Sequence, residues 1–255
     1  MGTAIEILRV RHTLVTIAQE GRERILEEIA TLGYDKIICG ELLLPEKYPS
    51  RNLKRCPGCV GQPPIPGIVR REDTNPRKGY IPVGFVSWFS SKMGRLRIPS
   101  FVHSDEIESI WYPDSAFTKA LSIHKSSLRQ TPAMRAVAKL LELRGAIPAA
   151  VGLWGTAALE VQTGYPYTHG RSDLDILFSM NQPAGRTELH SCLAIVQALE
   201  KEFAIRVDAE VTLSSGYGIS LKEFLREGAT VLGKGPYDVI LMQKEEVFTS
   251  LRQKS

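Results

Sequence analysis

The sequence predicts an α+β (α/β) protein with two domains: a sheet-rich N-terminal domain over residues 1–125, and a mixed-sheet domain with flanking helices over 126–255. Three observations predict it. A length of 255 residues suits two medium domains, each of a size that builds its own core. The front half holds short apolar runs separated by Pro- and Gly-rich stretches. The back half alternates helix-period segments with strand-like runs, as in a layered sheet protein.

Taken in order, residues 19–32 carry a helical stripe of Ile25, Leu26, Ile29 and Leu32, stopped by Gly33. Residues 44–67 are rich in Pro, Gly, Lys and Arg and read as a long loop. Strand-like runs follow at 68–69, 81–89 and 96–102. Residues 122–131 are polar and lack periodicity, which places the domain boundary there. Thr131 caps a helix with Pro132 at its first position and Gly145 beyond its end; the stripe is Met134, Val137, Ala138 and Leu141. A second helix spans 188–203, and Ser220 with Glu223 marks a third. Between them lie strand-like runs at 149–153, 174–178, 205–213, 230–232 and 239–242.

Composition narrows the function. Hydrophobic residues make up 43% and charged residues 24%, which excludes a disordered chain. No run approaches the roughly 18 apolar residues of a membrane span. The first twelve residues lack the pattern of a secretory leader, so a cytoplasmic protein without a membrane partner is expected. The net charge of +4 is too mild to suggest a nucleic-acid partner. It is unevenly spread: residues 1–130 hold 19 basic and 14 acidic residues, residues 131–255 hold 13 and 14. Cys56 and Cys59 form the only CxxC. Without a second ligand pair they read as a tight Pro-Gly turn with incidental thiols rather than a zinc site.

The carboxylates carry most of the chemistry. If residues 172–178 form a strand, Asp173 and Asp175 share a face opposite Leu174 and Ile176. Like charges at that spacing repel unless a cation lies between them, and Mg²⁺ is a common partner for carboxylate oxygens. The competing reading is Ser172-x-x-Asp175 as a helix-capping box. In 205–213, Ile205, Val207, Ala209, Val211 and Leu213 alternate with Arg206, Asp208, Glu210 and Thr212. That is a half-buried strand whose polar face either meets solvent or adds a third carboxylate to the first pair. Three carboxylates can hold two metal ions, a site suited to in-line displacement at phosphorus. Gly155-Thr156, between an apolar run and a helix-favouring stretch, reads either as a phosphate-binding turn or as an ordinary cap.

The ordered set Gly155-Thr156, Asp173-x-Asp175, Asp208-x-Glu210 resembles the nucleotidyltransferase superfamily. The residues 154–159 (WGTAAL), 163–167 (TGYPY) and 172–175 (SDLD) sharpen it. They resemble the phosphoribosyl-dephospho-CoA transferase family of malonate decarboxylase, also called malonate decarboxylase holo-acyl-carrier-protein synthase. The likeness continues through 206–210 (RVDAE) and 231–234 (VLGK). In the front half it shows in Arg11-His12, in Val69-Arg70-Arg71-Glu72 and in Pro82-Val83-Gly84. Three features depart from the family pattern: Thr156 in place of Ser, Thr13 where an acid is expected, and the 44–67 loop with its CxxC.

The resemblance implies a nucleotidyltransferase-like second domain and an enzyme that moves phosphoribosyl-dephospho-CoA from triphosphoribosyl-dephospho-CoA to a serine of the acyl-carrier subunit of malonate decarboxylase, with release of pyrophosphate. It implies Mg²⁺ in a two-metal site on Asp173, Asp175 and Asp208, with Asp208 or Glu210 helping to deprotonate the serine. Gly155, Thr156 and Lys234 would hold phosphates. Arg70 or Arg71 would meet phosphate or the acidic carrier protein, the basic front domain serving for docking. Two alternatives stay open: a nucleotidyltransferase with another protein or small-molecule acceptor, and a non-catalytic nucleotide- or carrier-binding module.

Overall fold

A computed structural model describes residues 10–48, 63–71, 79–91, 94–123, 128–180 and 183–252. Cys56, Cys59 and the rest of residues 49–62 lie outside the described residues. The described chain forms two compact units, divided between Tyr112 and Pro113, with residues 162–167 grouped in the first.

In the first unit, strands β1 (Leu14–Ile17), β2 (Gly67–Val69), β3 (Tyr80–Ser91), β4 (Gly94–His103) and β5 (Ile107–Trp111) form an antiparallel sheet in the order β4-β3-β2-β1-β5. Helix α1 (Gln19–Thr31) buries Ile25, Leu26 and Ile29. Leu32 is a correction to the sequence reading: it is 70% exposed, one residue past the helix, where Gly33 at φ +87° turns the chain away. Helix α2 (Lys36–Leu43) is capped by Asp35, whose carboxylate accepts from the backbone N–H of Ile37 and Ile38. Within this unit, residues 162–167 bring Tyr165 into a stack with Trp88 and bury Tyr167, whose hydroxyl donates to the Val86 carbonyl.

The second unit is a six-stranded mixed sheet in the order β11-β10-β9-β8-β7-β6. Its strands are β6 (Ala150–Trp154), β7 (Leu174–Ser179), β8 (Val207–Thr212), β9 (Gly218–Ser220), β10 (Thr230–Lys234) and β11 (Val239–Gln243). Among the described residues of this sheet, β7 and β8 are the pair that runs parallel, and the other neighbours are antiparallel. A parallel pair needs a long crossover, and α6 (Arg186–Phe203) provides it. One sheet face carries Leu153, Leu174, Ile176, Phe178, Val207, Ala209 and Val211, all buried. They join one apolar cluster with Val137, Leu140 and Leu141 of α4 (Pro132–Leu143) and Leu189, Val196 and Leu199 of α6. Each fully buried aliphatic side chain contributes about 1.5–3 kcal/mol. Thr131 caps α4 as expected, its hydroxyl accepting from the Met134 N–H.

Helix α3 (Pro113–Ser122) packs on β6. A Cβ at Gly152 would come within 2.7 Å of the Pro113 side chain, so the glycine lets the helix seat there. Helices α5 (Gly155–Thr163), α7 (Leu221–Leu225) and α8 (Lys244–Arg252) complete the unit. Among the described residues no helix is long and apolar enough to cross a membrane.

Candidate active site

The two readings of residues 172–175 separate here. The chain from Leu174 to Ser179 is a strand, not a helix. Ser172 does not cap a helix; its hydroxyl accepts from the His169 N–H at 2.9 Å and closes the turn into β7.

Strand register assembles the acidic residues. Asp175 of β7 lies opposite Asp208 of β8, and Leu177 opposite Glu210. Side chains level across paired strands share a face, with strands about 4.8 Å apart. Asp175, Asp208 and Glu210 therefore project from one face of the sheet, and exposed Asp173 precedes β7 at its edge. The polar face of β8 is not a solvent face throughout: Glu210 is 3% exposed.

On its other side β7 pairs with β6, placing Trp154 level with Asp175. The next residue, Gly155, opens α5 at φ +64°, a region that L side chains rarely adopt. A Cβ there would overlap the Asp175 carboxylate, lying 2.8 Å from its Cγ. The backbone thus passes directly against the acid. Thr156 is half-buried in the first turn of α5.

Among the described residues, Lys234 and Arg206 bond to the cluster. Lys234 on β10 donates to Glu210 Oε1 at 2.9 Å. Arg206 donates through Nε and Nη2 to the same Asp208 oxygen at 3.0 and 2.7 Å. The sequence reading included Lys234 as a site residue and omitted Arg206, although Arg206 stands two residues before Asp208, just ahead of β8, in the same alternation. Arg70 and Arg71 lie in the first unit, exposed, just past the end of β2.

Electrostatics singles out Asp175. Burial pushes its carboxyl up to about 7, and the charges of Asp208, Asp173 and Glu210 add to the shift; Arg206 opposes it. Among the described residues, Asp173, Asp175, Asp208 and Glu210 lie with Arg206 and Lys234, which leaves an excess of acidic groups for a divalent cation to meet. The donors are all oxygens, as Mg²⁺ requires. Among the described residues, no three His, Cys, Asp or Glu side chains are gathered into a ready metal cage. Asp208 and Glu210 are instead turned to Arg206 and Lys234. The residues fit a divalent cation by charge and donor type; Arg206 engages one of the two Asp208 oxygens.

Behind the site, Glu160 of α5 is 6% exposed and holds the approach to β7. Its Oε2 accepts from the Thr168 N–H at 2.6 Å, the Thr168 hydroxyl at 2.8 Å and Arg129 at 3.3 Å. Arg129 also donates to the Thr168 carbonyl, and Thr131 bonds the Thr168 hydroxyl.

Comparison with known proteins gives the same region. Residues 120–245 match the family described as the phosphoribosyl-dephospho-CoA transferase MdcG C-terminal domain. A phosphoribosyl-dephospho-CoA transferase of Xanthomonas campestris pv. campestris is 25% identical over 171 residues, covering 67% of this chain and 75% of the relative. One of Pseudomonas aeruginosa is 30% identical over 139 residues, covering 52% and 64%. One of Klebsiella pneumoniae is 26% identical over 168 residues, covering 66% and 75%. No solved structure matches the chain.

Proposed function

Because this chain belongs, through residues 120–245, to the family of the phosphoribosyl-dephospho-CoA transferase MdcG C-terminal domain, we propose that it transfers phosphoribosyl-dephospho-CoA from triphosphoribosyl-dephospho-CoA to a serine of an acyl-carrier protein, that of malonate decarboxylase. The observation that carries the reading is the register of Asp175 with Asp208 beside Gly155, which sets an acidic cluster against a backbone turn.

The reaction needs a triphosphate to be held and a serine hydroxyl to lose its proton. Gly155 and Thr156, at the start of α5, offer backbone N–H groups to the terminal phosphates, where the helix dipole favours an anion. Asp173, Asp175 and Asp208 would hold Mg²⁺, which when bound supplies positive charge against the triphosphate oxygens. Asp208 or Glu210 takes the serine proton as the serine oxygen bonds to the ribose-linked phosphorus. The bond from that phosphorus to the pyrophosphate oxygen breaks. Lys234 offsets the charge on the leaving pyrophosphate. The two exposed arginines of the first unit, Arg70 and Arg71, suit an acidic carrier surface and act on encounter rate more than on affinity. The protein acts in the cytoplasm on this reading.

The test is pyrophosphate release in Mg²⁺ buffer. Triphosphoribosyl-dephospho-CoA plus apo carrier should release pyrophosphate, and nucleoside triphosphates with the same carrier should not. Equal release from nucleoside triphosphates would move the reading to a general nucleotidyltransferase. Tight substrate binding with no release would mark a binding module.

A further inference from the structure

Arg206 stands out because the role assigned to the acidic cluster leaves it unused. It is the residue before β8, and Leu174 N–H donates to its carbonyl at 3.0 Å, so its backbone is locked to the mouth of β7. Its side chain is 66% exposed, yet two of its nitrogens converge on one oxygen of Asp208. That contact occupies one oxygen of Asp208, one of the three carboxylates proposed to hold a metal, and sets a positive charge against it. A guanidinium is a good partner for phosphate oxygens as well as for carboxylates, because its planar fork fits both. It is weakly hydrated, so exchanging one oxyanion for another costs little.

We propose that Arg206 is a further phosphate-binding residue that alternates between two partners: Asp208 when the site is empty of substrate, and a substrate phosphate when a divalent cation takes Asp208. The inference rests on the function proposed above and deepens it. The exposure of Arg206 leaves it reachable by a phosphate arriving from solvent, and its locked backbone keeps the guanidinium near the acids in either state. The exchange makes cation and triphosphate bind cooperatively, since each frees a partner for the other.

The test uses the full chain with Mn²⁺ as the cation and inorganic tripolyphosphate as the anion. Mn²⁺ binding is followed by the loss of its free-ion paramagnetic signal, and tripolyphosphate binding by calorimetry. Arg206→Gln should bind Mn²⁺ alone several-fold more tightly than wild type, because Asp208 is released. The same variant should bind tripolyphosphate in the presence of Mn²⁺ about tenfold more weakly, the range of a lost charge-assisted hydrogen bond. Arg206→Lys should fall between. These opposite signs are the signature, since a purely structural arginine would weaken both or neither. Unchanged binding of both ligands, or equal weakening of both, overturns the exchange while leaving the metal site standing. If wild type binds neither Mn²⁺ nor tripolyphosphate, the metal-dependent reading and the exchange fall together.

Discussion

Gly155 and Asp175 are packed so closely that the site has no room for a single methyl group between them. The glycine follows β6 and turns the chain at positive φ into α5, and the aspartate lies level with Trp154 on the neighbouring strand. Gly155→Ala should therefore both strain the backbone and push the acid aside. Strain at positive φ costs about 1 kcal/mol or more, and overpacking adds about 1–3 kcal/mol. Melting should fall by several degrees and turnover by about two orders of magnitude. Gly145→Ala is the control: nothing lies within 4 Å of its added Cβ, and its melting point should stay near wild type.

Asp175→Asn should separate stability from activity. The folded protein holds the Asp175 carboxyl up at about 7, above the ordinary value of 3.8. A raised carboxyl means that the folded state binds the proton more tightly than the unfolded chain. Stability from this group is fully present below pH 3.8 and is lost as pH rises through about 7. The loss is at most about 4 kcal/mol, from roughly 1.4 kcal/mol for each pH unit of difference. Without metal, the asparagine variant should melt higher than wild type at pH 8 and nearly level with it at pH 4. Its turnover should fall by at least about three orders of magnitude, as an essential ligand would. A variant that melts lower at pH 8 would show that Asp175 is not held against repulsion.

Lys234→Met should leave Glu210 buried without its ammonium partner. The lysine is 40% exposed, so water softens the loss to about 1–2 kcal/mol. Adding Glu210→Gln should recover most of the melting temperature. Activity should remain low in both, because neither variant neutralises a leaving pyrophosphate. Thermal melts alongside pyrophosphate release separate the two effects.

Glu160→Ala should destabilise the second unit without touching the acidic cluster. It removes the acceptor for the Thr168 N–H, the Thr168 hydroxyl and Arg129 inside a buried pocket. Arg129 keeps the Thr168 carbonyl and the Thr168 hydroxyl keeps Thr131, so the Thr168 N–H is the donor that loses its acceptor, at a cost of about 1–3 kcal/mol. Denaturant unfolding should show the midpoint falling with an unchanged slope.

Much of this arrangement was legible in the sequence because it depends on period. Alternation along 205–213 puts Asp208 and Glu210 on one face, and Asp173-x-Asp175 follows the same rule. The parallel register that levels Asp175 with Asp208 is set by α6 and the turn at Ser172, which no local pattern encodes. The burial of Glu210 has the same non-local origin. Helix α2 was illegible because Ile37, Ile38 and Gly40 favour other states, and its formation depends on the Asp35 cap and on burying Cys39, Leu42 and Leu43. Strand β9 has three residues, too few to show alternation. Helix α3 carries readable signals in Pro113 and the Ala116, Phe117, Ala120 spacing, but its seat on β6 depends on Gly152. Leu32 joined the stripe by period alone, and Gly33 takes it out.

The most direct test of the account is the intact mass of the apo acyl-carrier protein after incubation with this enzyme, Mg²⁺ and triphosphoribosyl-dephospho-CoA. The account predicts that the carrier gains the mass of one phosphoribosyl-dephospho-CoA group on a serine, with an equivalent of pyrophosphate, and that Asp175→Asn abolishes both. An unchanged carrier mass with the wild-type enzyme at saturating substrate would contradict it.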